Sequence, residues 1–359
     1  MRYVGGHRML TVLPFCATAL FAASWCLSSG AQGPRPVRRS SPGGLGATRA
    51  LLLEARSERE NVGRVRSLIA AGADVNKPDI VDGDVWRTPM DYAAQLRHWK
   101  TVELLADRGA DVNPRAPLGD KYGLTPLMRC AVSGPAHLLG LLIRHGARAN
   151  AQGYHDITAL MLAAVAGRPE NVKVLLQHGA SVNMRTYFGR ETALDLVAEG
   201  RDFIDGEALS TPLDDATQRH HWVTVGRWEM MEMLVKSGAD VNPAVASADP
   251  SWQTPLMRCA ADGPARLARL LIRHGAKVSA QAYDGLTALM LAAGGGHAAN
   301  VGILLQNRAD ANMRTYSAKR RALDFAIEGG HYRVARLLRT YTRGRTPTGL
   351  AVATGGATE

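Results

Sequence analysis

One five-residue phrase governs this chain. Gly-Ala-Asp-Val-Asn stands at 72–76, 109–113 and 238–242, with looser copies at 146–150, 179–183, 275–279 and 308–312. Measured from the Gly position, the steps are 37, 37, 33, 59, 37 and 33 residues. A period near 33 means small units that bury their apolar faces only by stacking on one another. Such a chain presents a long open surface in place of an enclosed pocket.

Residues 122–150 show how one unit works. Thr125 can cap a helix with its hydroxyl, and Pro126 suits the first helical position. Leu127, Cys130 and Ala131 form an apolar stripe at helical spacing. Gly134-Pro135 breaks that helix. A second helix carries Leu138, Leu141, Leu142 and Ile143, and ends in Arg144 and His145, cations at the negative end of the helix dipole. Gly146 supplies a left-handed turn.

The phrases Thr88-Pro89-Met90-Asp91-Tyr92-Ala93-Ala94, Thr125-Pro126-Leu127-Met128, Thr211-Pro212-Leu213-Asp214 and Thr254-Pro255-Leu256-Met257 each precede a Leu-rich stretch and Gly-Ala. In this the chain resembles the ankyrin repeat family over residues 50–341. The resemblance implies an all-α repeat: a solenoid of stacked helix-turn-helix units with β-hairpin fingers. The family's usual His after Thr-Pro-Leu is replaced by Met128, Met161, Met257 and Met290, or by Asp91, Asp195, Asp214 and Asp324. Arg308 replaces a turn Gly, which costs about 1 kcal/mol. Residues 125–200 also align without gaps on 254–329, with 45 of 76 positions identical. Whole blocks are duplicated. About eight full units are expected, with a truncated one near 192–209, an N-terminal cap at Leu51–Asn76 and a polar C-terminal cap at Ala322–Tyr341.

The net charge is +11, but residues 1–49 and 342–359 supply +7 of it. The 292 residues between are only mildly basic. No nucleic-acid partner is expected, since that needs a basic stripe on the folded surface. Arg2 and Arg8 precede an apolar run from Met9 to Leu27, followed by Ser29 and Ala31 at small-x-small spacing. This is the pattern of a signal peptide over 1–31, cut before Gln32. Periplasmic or secreted location follows as the expectation, with an uncleaved membrane anchor as the alternative. Residues 32–49 read as a flexible basic linker and 342–359 as a disordered tail.

No nucleophile, paired-acid, phosphate-cradle or metal pattern is present. Gly294-Gly295-Gly296 falls at a turn between helices. His145, His178 and His274 share a helix-end position. Cys130 and Cys259 are expected as small buried side chains, four stacking steps apart and too distant for a disulfide. No enzyme activity, cofactor or metal is expected.

Each link between units carries an aromatic: Trp86, Tyr122, Tyr154, Tyr187, Trp252, Tyr283 and Tyr316, with cations such as Arg87, Arg190 and Arg320 beside them. Trp, Tyr and Arg dominate interface hot spots. Two roles fit these positions: partner anchors, or a ladder in which each ring packs on the next finger. The expected function is a non-catalytic scaffold, acting as a monomer, that binds a protein partner through fingers and inner helices. A secreted effector acting on a host protein and a periplasmic stress or redox accessory are the alternatives.

Overall fold

The structure is a computed structural model. It describes residues 42–81, 85–114, 123–187, 190–199, 226–242 and 253–342. The signal, tail and most of the linker read from the sequence lie outside the described residues, as do Tyr122, Trp252 and Asp214.

Among the described residues eight helix pairs stack in chain order. They are α1 (Pro42–Ala55) with α2 (Val62–Ala70), α3 (Pro89–Gln95) with α4 (Trp99–Asp107), α5 (Pro126–Ser133) with α6 (Ala136–Arg144), and α7 (Ala159–Val165) with α8 (Pro169–Gln177). There follow α9 (Ala193–Glu199) with α10 (Arg227–Lys236), α11 (Pro255–Asp262) with α12 (Ala265–Arg273), α13 (Ala288–Gly294) with α14 (Ala298–Gln306), and α15 (Ala322–Glu328) with α16 (Tyr332–Thr342). Odd-numbered helices pack on odd throughout, and even on even from α2 to α8 and from α10 to α16, so the first helices form one row and the second helices lie beside it. Among the described residues no helix is long and apolar enough to cross a membrane.

Local chemistry sets the boundaries. Thr125 Oγ1 accepts from the Met128 N–H at 3.2 Å, and Thr254, Thr158 and Thr287 repeat the contact. Each such cap is worth about 1 kcal/mol. Met90, Met128, Met161, Met257 and Met290 then fill the core between neighbouring first helices. Where Asp takes the place of Met or His, it closes a reciprocal cap. Asp91 Oδ2 accepts from both the Thr88 N–H and its hydroxyl, and Asp195 does the same for Thr192. Gly146 turns the chain at φ 95°, and Arg308 adopts the same left-handed region at φ 64° despite its Cβ.

Three expectations change. First, residues 42–49 are not linker but the first half of α1. Thr48 is buried there. Its Oγ1 donates to the Gly44 carbonyl and accepts from the Asp74 N–H. Second, the helix at 193–199 is not a truncated unit. It pairs with α10, so the two are the helices of one unit, and the rest of the expected truncated unit lies outside the described residues. Three steps therefore separate Cys130 from Cys259, roughly 30 Å at about 10 Å per step, and both are buried free thiols. Third, among the described residues only one finger is a β-hairpin, β1 (Asp79–Val81) antiparallel to β2 (Val85–Arg87). Two others are short 3-10 turns at Tyr154–Asp156 and Tyr283–Gly285.

The loops are joined by a rung that uses the phrase's last residue. Asn113 Nδ2 donates to the Gly146 carbonyl at 2.8 Å, while its Oδ1 accepts from the Arg148 N–H at 2.9 Å. Asn76, Asn150 and Asn242 make the same pair of bonds to the next loop. Ser279 stands at the corresponding place one loop later.

Candidate functional site

The finger tips after the fourth and seventh loops are near-copies, offset by 129 residues. In the first, the Tyr187 N–H donates to the His155 carbonyl at 3.0 Å, which ties two successive fingers together. In the second, the Tyr316 N–H donates to the Asp284 carbonyl at 2.8 Å. Each tip closes on itself: Thr186 N–H to Glu191 O at 3.0 Å, and Thr315 N–H to Arg320 O at 2.9 Å. Arg185 and Arg314 each donate from Nη1 to the carbonyl inside the tip, of Arg190 and Lys319. Arg185 also pairs with Asp240 at 3.2 Å. Ser317 donates from both its N–H and Oγ to the Asp284 carboxylate, and these bonds hold that carboxyl below its ordinary value.

Backbone strain gathers at these tips. Seven described non-glycine residues have positive φ, and His155, Asp156, Arg190, Asp284 and Lys319 are five of them. Non-glycine residues in the left-handed region persist only where their surroundings fix them, and they cluster at functional sites.

The rings are not packed away. Tyr154, Tyr187, Tyr283 and Tyr316 are 59%, 70%, 64% and 58% exposed. Of the four, Tyr316 lies against Gly285, where an added Cβ would come within 3.2 Å of its ring, and its hydroxyl donates to Gln281 at 3.1 Å. Asp156, Arg185, Thr186, Tyr187 and Arg190 line an open depression at the first tip.

Arg87 and Arg320 do something else. Arg87 lies over the Tyr92 ring, 5.9 Å from its centroid, and donates to Gln95 Oε1 at 2.6 Å. Arg320 lies over Phe325 at 4.4 Å and pairs with Glu328 at 2.6 Å. Both are clips that reach along the helix following their own finger, to the residues five and eight places on. One nitrogen of each guanidinium is thus engaged within the unit. Trp86 sits in β2 opposite Ile80.

Sequence reasoning passed over two buried asparagines. Asn171 Nδ2 donates to the carbonyls of Ala131 at 2.9 Å and Gly134 at 3.2 Å, and Asn300 does the same to Ala260 and Gly263. The Gly-Pro break leaves the last carbonyls of α5 and α11 without helical partners, and the next unit caps them. Their offset of 129 was the available signal.

Burial pushes the Cys130 and Cys259 thiols up to about 12, so neither offers a thiolate near neutral pH. Among the described residues no group of His, Cys, Asp and Glu is placed to hold a metal.

Fold and site together define a helical-repeat solenoid with a studded finger edge. The family models for ankyrin repeats match residues 86–116, 114–186 and 256–348, and the chain belongs to the ankyrin repeat family. It is similar to the E3 ubiquitin-protein ligase XBAT33 of Arabidopsis thaliana, with 40% identity over 28% of this chain and 20% of that one. It is also similar to the nuclear factor NF-kappa-B p105 subunit of Gallus gallus, with 28% identity over 70% of this chain and 20% of that one. The chain thus spans about a fifth of the length of these relatives. The crystal structure of the ankyrin repeat domain of Bcl-3 shares the fold, at a TM-score of 0.50 and 24% identity, over 70% of this chain and 98% of that one.

Proposed function

We propose that this chain is a protein-binding module that captures its partner on two equivalent finger-tip platforms, Tyr154 with Tyr187 and Tyr283 with Tyr316. The observation that carries the reading is four exposed tyrosines mounted on strained, hydrogen-bonded tips. A fixed amphipathic ring loses little entropy on binding, and such residues make the strongest interface contacts. The platforms lie three stacking steps apart, roughly 30 Å. A partner with two similar epitopes at that spacing would engage both, and effective concentration would raise the avidity.

The N-terminal apolar stretch with its small-x-small end supports action outside the cytoplasm, in the periplasm or medium. Affinity capture from periplasmic and medium fractions, with the chain as bait, tests both parts. The four-fold Tyr→Ala variant should melt like the parent and lose the captured partner. A large fall in melting temperature would show that the rings hold the fingers together, and a native chain that starts at Met1 in the cytosol would defeat the export reading.

A further inference from the structure

The second helices of the last three units carry no negative charge, and two of them, α12 and α16, carry arginines. α12, α14 and α16 contain six arginines and no acid. Among the earlier second helices, α4 holds Glu103 and Asp107 beside Lys100, α8 holds Glu170 beside Lys173, and α10 holds Glu229 and Glu232 beside Arg227 and Lys236; α2 carries Arg64 and Arg66 and α6 carries Arg144 without an acid, and none of these has three arginines in one helix. Arg266, Arg269 and Arg273 are all exposed, at the i, i+3, i+7 spacing that makes one stripe along α12. Arg333, Arg336 and Arg339 are exposed on α16. Arg266 pairs with Glu232 at 3.5 Å, and Glu232 is shared with Lys236. Among the described residues the other five arginines have no ion pair.

α14 packs between the two arginine-bearing helices. Its outer side is low: Ala299 is exposed, and a Cβ added at Gly302 would meet nothing within 4 Å. Two cationic ridges thus stand roughly 20 Å apart, at about 10 Å per helix step, over an uncharged floor of Ala299, Gly302 and Gln306. The duplicated block shows that two of the three α12 arginines are particular to this end. His137 and Gly140 on α6 correspond to Arg266 and Arg269 on α12, while the buried Leu138 and Leu142 correspond to Leu267 and Leu271. The leucine packing is kept, an exposed His and a buried Gly give way to arginine, and Arg144 already stands where Arg273 does.

We propose that this outer face docks on an anionic phospholipid surface. Five arginines with no ion pair among the described residues fall in the range that anionic membranes recognise. Tyr332, at the start of α16, is 77% exposed beside the ridge, and an amphipathic ring of this kind settles at headgroup level. Duplex nucleic acid would instead call for an element that enters a groove. The face lies on the second-helix row, apart from the finger tips, so a partner and a membrane could be held together.

The test is co-sedimentation of the full chain with phosphatidylcholine vesicles, with and without phosphatidylglycerol. The chain should bind the anionic vesicles more tightly, and raised salt should remove the difference. Replacing Arg269, Arg273, Arg336 and Arg339 by Gln should weaken that binding by about a hundredfold or more, from roughly fivefold for each charge. The same change at Arg64 and Arg66 on α2, and the four-fold Tyr→Ala variant, should leave it unaltered. Circular dichroism melting of each variant checks the fold. No preference for anionic vesicles, equal binding by the four-fold Arg variant, or tighter binding to a DNA duplex than to vesicles would overturn the proposal.

Discussion

Asn183 donates its side-chain amide to the carbonyl of Gly238, 55 residues further along the chain, at 3.1 Å. Its Oδ1 accepts from the Asp240 N–H at 2.7 Å. These are the two bonds that Asn113 makes over an ordinary repeat distance. The rung therefore treats residues 179–183 and 238–242 as consecutive loops.

That relationship predicts tolerance of a large excision. Replacing residues 200–226 by a three-residue connection like Ala166-Gly167-Arg168, which joins α7 to α8, should leave the helical circular dichroism signal per residue intact. The melting temperature should stay within a few degrees. Asn183→Ala should instead lower stability by about 1–2 kcal/mol, from two modest hydrogen bonds. A cooperative loss of structure on excision would show that 200–226 is part of the stack.

The trans-caps offer a second test. Asn171→Ala leaves the buried carbonyls of Ala131 and Gly134 without their donor, which should cost about 1–3 kcal/mol. Asn300→Ala should cost the same. The two sites share no partners, so the double variant should lose the sum of the two single losses. Urea unfolding of the three variants measures this.

The junction between the loops at 275–279 and 308–312 is the weakest rung on two counts. Ser279 is too short to make the Asn bonds, and Arg308 holds a left-handed turn that glycine prefers. Ser279→Asn and Arg308→Gly should each raise stability by about 1 kcal/mol. Hydrogen exchange should show α15 and α16 opening at lower free energy than α5 and α7 in the parent, with the gap narrowed in the double variant.

Asp195 gives the chain a pH dependence of unusual sign. Burial pushes its carboxyl up to about 6, against hydrogen bonds from Thr192 that act the other way. The folded chain therefore holds this proton more tightly than the unfolded chain. Stability tied to Asp195 is fully present below the ordinary carboxyl value of 3.8 and is lost as pH rises through about 6. The loss should reach about 3 kcal/mol. Urea midpoints between these pH values should fall with rising pH in the parent, and Asp195→Asn should flatten that slope.

Most of the fold is legible in the repeated phrase, because turn glycines and Thr-Pro caps act within a few residues of themselves. The seam is not. Thr211-Pro212 carries every local mark of a helix start, but partner choice for α9 is decided by packing against α10, which no local signal encodes. Arg87 and Arg320 have the residue type of interface anchors. Their roles depend on an aromatic five places on and an acceptor eight places on. The exposure of the four tyrosines was likewise open in sequence, since a ring at a finger tip buries area equally well against a neighbour or a partner. The arginine ridges are hidden in the sequence because charge averaged along the chain conceals what stacking gathers from two separate helices.

The asparagine rung addresses only a carbonyl and an N–H of the following loop. The residue supplying that N–H is Asp111, Arg148, Ser181, Asp240 or Lys277, and the bond is the same each time. Such a joint is blind to the identity of what it joins. Any block that starts and finishes with this phrase can be spliced behind any other, so the molecule can lengthen by copying whole stretches of itself, with its exposed surfaces left free to diverge afterwards.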